Sequence, residues 1–285
     1  MEDKRELLKQ PIHGIYIPIA LILFGTWIFG WEYMPYSVGF IVVICSMQIY
    51  GALQRRSSMH LVKWQDFELL DKTLIGPMTA IYRFKLRKDD EVLDVPTGHS
   101  LACCFTVDGK DEVRYYTPIS NQFDTGFFDI LVKHYKNGVV TRKLANVQIG
   151  QTVKFRGPFG KLDYVPNEYK EVGLIAGGTG ITPMLQIITR IITNMDDKTK
   201  IKLLFANNEE TDILLKDELD NMALKYPDLE IKYITGEFVK KSDFEFLPPS
   251  GSDSKLLVCG PPAFVEHINE LAKESGYQKD EVFNF

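Results

Sequence analysis

Several things are scarce or missing in this 285-residue sequence. Cysteine occurs four times (Cys45, Cys103, Cys104, Cys259) and histidine five times. The cysteine spacing fits neither a disulfide framework nor a zinc site, and the scattered histidines add no metal cluster. No metal centre is expected, and the thiols read as reduced ones facing the cytosol. A basic excess is missing too. The formal net charge is −5, with no basic stripe and no nucleic-acid motif, which argues against a general nucleic-acid binder. Internal repeats and low-complexity segments are absent as well.

Charge itself is missing from two stretches. Residues 12–31 and 36–53 contain no Asp, Glu, Lys or Arg. At 1.5 Å per residue they span roughly 30 and 27 Å, close to the bilayer core. Only "EYMP" (residues 32–35) separates them, so the sequence predicts a transmembrane helical hairpin with both ends on one side. Lys4, Arg5 and Lys9 precede it, Arg55, Arg56 and Lys63 follow it, and the turn has no Lys or Arg. The positive-inside rule then places both ends in the cytosol. Trp27, Trp31, Tyr33 and Tyr36 sit where an aromatic belt would lie on the far side. Two other readings stay open: a cleaved signal peptide in the first run, or one run lying in the interface.

The rest of the chain is long enough for two medium domains. Up to about Tyr164, short apolar runs such as "AIYRFKL" (80–86), "LACCFTV" (101–107), "FFDILVKHY" (127–135) and "TVKFRG" (152–157) are broken by Gly, Pro and Asp. They predict a small antiparallel β-barrel, with one short helix near residues 140–144. After residue 170 strands alternate with helices: strands at 172–176, 200–207, 229–235 and 255–260, helices at 183–194, 217–225 and 263–275. That alternation predicts a parallel sheet with right-handed crossovers. The expected organisation is a membrane anchor over 1–60, a β-barrel domain over 61–164 and an α/β domain over 165–285.

Three short motifs carry chemistry. In "GLIAGGTGITP", Gly178 and Gly180 supply the first two glycines of a dinucleotide fingerprint, but Pro183 stands at the third position. The acidic residue expected about twenty positions on is missing. No Gly-Lys-Ser/Thr follows, so this is not a P-loop either. Glycines still let the backbone approach an anion, and Pro183 suits the first turn of a helix. The plain alternative is a tight strand–helix turn. In "RYYTPIS" (114–120), an arginine, aromatics and hydroxyls at a strand end could clamp a phosphate and present a ring face. The plain alternative is a set of exposed strand residues. "CGPP" (259–262) ends a predicted strand, the edge where open parallel sheets bind ligands. Its plain alternative is a small buried cysteine.

Together and in this order the motifs are far more specific. With "GFFDILVKHY", "GVVTRKL", "GPFGKLDY", "LLFANNEETDILL", "LVCGPPAF" and the terminal "VFNF", the chain over residues 63–285 resembles the NADH-cytochrome b5 reductases, within the ferredoxin–NADP reductase-like flavoproteins. The resemblance implies bound FAD, NADH as substrate, and single-electron delivery to cytochrome b5 or a similar haem protein. It implies that Arg114 pairs with the FAD pyrophosphate, that Tyr116 lies against the isoalloxazine and that Thr117 bonds near its reactive nitrogen. Leu131, Lys133 and Tyr135 fall in the same FAD set, as do Gly138, Val139, Val140 and Thr141 at a helix start suited to the pyrophosphate. Thr182 falls near both flavin and nicotinamide. Gly178, Thr179, Gly180, Asn207, Cys259, Gly260, Pro261 and Pro262 form the NADH set, with Cys259 beside the nicotinamide. Tyr116, Thr117, Thr182 and Cys259 are thus the expected catalytic residues, acting by position.

Four departures stand out. Tyr115 replaces the family's usual Pro, Thr141 replaces Ser, and Phe264 replaces Met. Gly236 stands where the family has an aspartate near the adenine ribose, and the connection after it is short. NADPH therefore stays open beside NADH, with Glu237, Lys240 and Lys241 as neighbours that bear on the choice. Two other functions stay open: the same chemistry with an acceptor such as a quinone, and a membrane-tethered interaction module without turnover. The expected location is the endoplasmic reticulum or outer mitochondrial membrane, with a monomeric catalytic domain in the cytosol.

Overall fold

The computed structural model describes residues 16–54, 58–76, 78–121 and 123–285. The chain divides into two units, Met1–Ser57 and Ser58–Phe285. In the first, helix α1 (Tyr16–Phe29) ends at Gly30, whose φ of 124° cannot continue a helix. A single turn, Trp31–Tyr33, leads into α2 (Met34–Gln54). The Thr26 and Ser37 hydroxyls lie 2.6 Å apart between the two helices.

The expected transmembrane hairpin is corrected here. No helix among the described residues is long and apolar enough to cross a membrane. Among the described residues α1 has 14, about 21 Å of helix, short of a ~30 Å bilayer core. The 21 residues of α2 are long enough, but Pro35, Tyr36 and Ser37 lie in the first turn and Gln48 and Gln54 near the end. Lys4, Arg5, Lys9, Arg55 and Arg56, on which the predicted orientation rested, lie outside the described residues, as do residues 12–15 of the first run.

The second unit begins with an antiparallel sheet: β1 (Gln65–Gly76), β2 (Thr79–Lys85), β3 (Ser100–Val107), β4 (Lys110–Tyr116), β5 (Phe127–Lys133) and β6 (Thr152–Phe159). Period-2 alternation builds its core. In β2, Ala80, Tyr82 and Phe84 are fully buried while Arg83 and Lys85 point outward. Phe84, Phe128 and Phe155 meet as a ring cluster, with centroids 4.8–5.4 Å apart. Each contributes on the order of 1.5–3 kcal/mol by leaving water. Helix α3 (Val139–Asn146) adds Val140 and Leu144 to this core.

The strand order β4-β3-β6-β1-β2-β5 leaves β4 and β5 as two edges, which corrects the expected barrel: the sheet is not closed. Beyond β4 a single bridge, Pro118 to Ile130, joins the edges. Pro118 has no amide proton to extend a ladder. The gap left between Tyr116 and Leu131 becomes part of the site.

The parallel sheet follows, as the sequence pattern predicts. It contains β7 (Glu171–Gly177), β8 (Lys200–Asn207), β9 (Leu229–Thr235), β10 (Ser254–Cys259) and β11 (Val282–Asn284), in the order β11-β10-β7-β8-β9. Both faces are covered, so the strands read as nearly continuous apolar runs. Leu174, Leu203 and Phe205 pack with α4 (Ile181–Ile192) and α5 (Lys216–Lys225). Ile175, Leu204 and Val258 pack with α6 (Pro262–Glu274) on the other side. The chain runs outward from β7 to β9, then returns to β10 on β7's free side. The switch point therefore lies where β7 and β10 end side by side, the place where such sheets open a crevice.

Candidate active site

A cavity of about 760 Å³ is lined by residues of both sheets, within the ~300–1,000 Å³ typical of small-molecule sites. The antiparallel side contributes Arg114, Tyr116 and Thr117 from the end of β4, Leu131 and Lys133 from β5, Tyr135, and Gly138, Val139, Val140 and Thr141 from the start of α3. The parallel side contributes Thr179, Gly180, Thr182, Cys259, Gly260 and Pro261. Three expected residues lie outside this lining. Gly178 and Asn207 stand at the same sheet edge, and Pro262 opens α6 beside an adjoining groove.

Local contacts set the start of α3. A Cβ on Gly138 would fall 2.1 Å from Thr141 Oγ1, so only glycine leaves that hydroxyl its place. His134 anchors the preceding turn, with Nδ1 3.0 Å from the Thr141 carbonyl and Nε2 3.1 Å from Tyr82 Oη. The first amides of α3 thus meet the cavity with no intrahelical acceptor. Arg114 donates to the Val113 carbonyl at 2.7 Å and stands 3.6 Å from Glu112. Lys133 reaches across to the parallel-sheet side and pairs with Asp212 at 2.8 Å. Burial raises the Tyr116 phenol well above its ordinary pKa, so it stays protonated.

The opposite wall is a tight backbone contact. Gly178 has φ +54° with open space around it, so its glycine serves conformation. Gly180 has an ordinary helical φ, and its glycine serves space: a Cβ would meet the Cys259 carbonyl oxygen at 2.2 Å. Buried Thr182 donates its hydroxyl to the Thr179 carbonyl at 3.2 Å, tying the turn. Burial pushes the Cys259 thiol up to about 11, opposed in part by the Gly260 amide. It is a neutral thiol at neutral pH and not a thiolate nucleophile. Asn207 Nδ2 is buried with no protein partner, a donor that calls for an acceptor. Gly236 has φ +71°, and its amide donates to the Asn208 carbonyl at 2.9 Å. Lys240 is ion-paired with Glu237.

Sequence reasoning gave no role to several residues that line the cavity: Gly98, Ser100, Tyr115, Phe159, Lys161, Phe283 and Phe285. The segments "GPFGKLDY" and "VFNF" were the available signal. Gly98 is tied to the other side of the cleft, its amide donating to Gln186 Oε1 of α4 at 2.6 Å.

An antiparallel sheet with a helix start at its open edge, set against a parallel sheet opened at its switch point, defines the class of ferredoxin–NADP reductase-like oxidoreductases. Two family descriptions match the two halves: Oxidoreductase FAD-binding domain over residues 66–164 and Oxidoreductase NAD-binding domain over 174–270. The plasma membrane-associated coenzyme Q6 reductase of Saccharomyces cerevisiae is 42% identical, covering 98% of this chain and 97% of its own. NADH-cytochrome b5 reductase 1 of Neosartorya fischeri is 39% identical, covering 98% of this chain and 99% of its own. The crystal structure of the cytochrome b5 reductase domain of Ulva prolifera nitrate reductase superposes with a TM-score of 0.76 at 30% identity. That match covers 81% of this chain and 100% of the other. The chain belongs to the NADH-cytochrome b5 reductase family, with FAD and NADH as its cofactors.

Proposed function

We propose that this enzyme binds FAD along the open edge between β4, β5 and the start of α3, and admits NADH across the switch point of the parallel sheet. Electrons then pass to cytochrome b5 or a similar haem protein. The observation that carries the reading is convergence: "RYYT", the Gly138 turn, Thr179, Gly180 and Thr182 of the glycine turn, and "CGP" meet on one cavity although they are spread over more than half of the chain.

The donor set fits the cofactors. A diphosphate is matched by the free α3 amides, with Arg114 and Lys133 as cations in the same lining. A flat ring system is matched by Tyr116 and Thr117 beside the uncovered edge. A second nucleotide finds backbone close at hand at Gly180 and an unpaired donor in Asn207. When bound, FAD accepts a hydride from NADH and passes electrons onward singly. The chain supplies position: Thr182 fixes the turn, Gly180 sets the distance between the β7 and β10 ends, and the neutral Cys259 thiol lines the wall without a charge. No side-chain proton shuttle is needed for hydride transfer.

In this reading residues 61–164 form the FAD domain and 165–285 the nucleotide domain, and the catalytic part acts as a monomer. The first unit attaches the enzyme to a membrane, with the catalytic unit in the cytosol. Support comes from the exposed rings and aliphatic chains of Leu21, Phe24, Trp27 and Phe40, 57–68% exposed, and from the membrane association in the Saccharomyces relative's name. The test is anaerobic mixing with NADH, which should bleach a yellow flavin spectrum, followed by oxidised cytochrome b5. A quinone acceptor is a second reading, favoured by that relative, a coenzyme Q6 reductase. NADPH is the weaker cofactor candidate, since Lys240 is occupied by Glu237.

A further inference from the structure

The cavity lies between two sheets, so the contacts that hold the sheets together bear on the reaction. Leu131, Ile75 and Ile119 of the antiparallel side pack on the core of the parallel side. Apolar burial is non-directional. It draws the two sides together and leaves their exact position to polar contacts, whose geometry is narrow. One such contact is built from rigid parts. On the antiparallel side the His99 amide donates to the Pro96 carbonyl at 3.1 Å, closing a turn over residues 96–99. Gly98 is the third residue of that turn, with φ +86°, a place that calls for glycine. A Cβ on Gly98 would meet Leu162 Cδ2 at 2.8 Å, and one on Gly160 would meet His99 Cγ at 2.6 Å, so the turn is packed from two sides. The buried Gly98 amide donates outward to Gln186 Oε1 at 2.6 Å. On the parallel side Gln186 stands four residues after Thr182 in α4, on the same helix face. Gln186 is not among the residues that line the cavity.

We propose that Gln186 is a positioning residue for hydride transfer: it fastens the helix that carries Thr182 to the turn that opens β3, and so sets the gap between nicotinamide and flavin. This role rests on the FAD and NADH reading of the cavity. Three observations favour it. The contact has one end beside each reacting group, since Gly98 and Ser100 line the flavin side and Thr182 lines the nicotinamide side. Neither end is free to follow the other: the turn is packed, and α4 is held in its own core by Met184, Ile187 and Ile188, all fully buried. The second polar tie across the cleft, Lys133 to Asp212, joins two long or partly exposed side chains, a kind of pair that holds position loosely. A residue at 186 without an acceptor leaves the Gly98 amide unpaired, and water or a shift of one side must then satisfy it.

The experiment compares full-length holoenzyme with Gln186→Met, which keeps the side-chain length and removes the acceptor, and Gln186→Glu, which keeps the acceptor. Anaerobic stopped-flow reads flavin bleaching at saturating NADH, with and without deuterium at the transferred position. Hydrogen exchange reads the Gly98 amide with no nucleotide present. A misplacement of 1 Å lowers a rate on the order of 100-fold, and one of several contacts between the sheets governs less than that. Gln186→Met should therefore bleach about 10-fold more slowly, with a larger isotope effect and faster exchange at Gly98. Flavin content and the half-saturating NADH concentration should stay near wild type, and Gln186→Glu should keep the wild-type rate. A wild-type bleaching rate in Gln186→Met overturns the proposal. A slower rate with an unchanged isotope effect overturns it too, because the hydride gap is then not what moved. Loss of flavin in step with the rate overturns it by placing the contact in flavin binding. If Gln186→Met does not fold, Gln186→Asn, one carbon shorter, decides: a wild-type rate and isotope effect there overturn the proposal. A wild-type holoenzyme that holds flavin but is not bleached by NADH fails the cofactor reading instead.

Discussion

Replacing Gly180 by alanine tests the geometry of the cleft at its tightest point. The added Cβ would lie 2.2 Å from the Cys259 carbonyl oxygen, 2.5 Å from its carbon and 2.9 Å from the Gly260 amide nitrogen, where ordinary contact begins at 3.4 Å. All three are backbone atoms, so no side chain can swing away. The β7 and β10 ends must part by about 1 Å. Overpacking of this kind costs about 1–3 kcal/mol. A displacement near 1 Å in a positioning contact lowers a rate on the order of 100-fold. Anaerobic stopped-flow of flavin bleaching by NADH reads the rate directly. Flavin content should stay near wild type, since Gly180 lies on the wall opposite α3 and Arg114. Gly178→Ala is the control. It meets no atom within 4 Å but must hold φ +54°, a strain of about 1–2 kcal/mol. Its bleaching rate should fall much less. A Gly180→Ala enzyme that bleaches at the wild-type rate, or a Gly178→Ala enzyme that is slower, refutes the spacing argument.

Other predictions follow from single side chains. Arg114→Ala should weaken FAD retention, seen as a lower flavin-to-protein ratio after gel filtration; an unchanged ratio counts against its assignment. Cys259 should alkylate slowly with iodoacetamide between pH 7 and 9, because burial holds the thiol at about 11; rapid labelling in that range contradicts this. Burial opposes ionisation of Asp220, yet the hydrogen bond from Tyr233 and the Lys216 ion pair together hold its pKa below the ordinary value. A depressed carboxylate contributes stability above its unfolded pKa of roughly 3.9. That contribution is lost as pH falls through the folded pKa. The Tm of wild type should therefore drop more steeply than that of Asp220→Asn as pH is lowered from about 5 toward 3.

Legibility in the sequence followed how local the determinants are. The strands Lys200–Asn207 and Leu229–Thr235 match the predicted bounds because buried parallel strands print themselves as apolar runs. The cleft residues were legible because three motifs at strand ends were read in combination. Closure of the antiparallel sheet was not legible, since it depends on how β4 and β5 meet after Pro118, a pairing between distant segments. The hairpin was misread because absence of charge measures hydropathy alone: among the described residues the first run holds a helix of 14 residues, which the positive φ of Gly30 ends. The Gly98–Gln186 hydrogen bond joins the turn before β3 to α4, 88 positions on, and no periodicity within either segment announces it.

Anaerobic titration with NADH, followed by oxidised cytochrome b5, tests the central claim most directly. The protein should be yellow, with flavin absorbance that bleaches with about one equivalent of NADH and recovers as cytochrome b5 is reduced. A folded but colourless protein that takes up no FAD, or a flavin that NADH leaves oxidised, would contradict it.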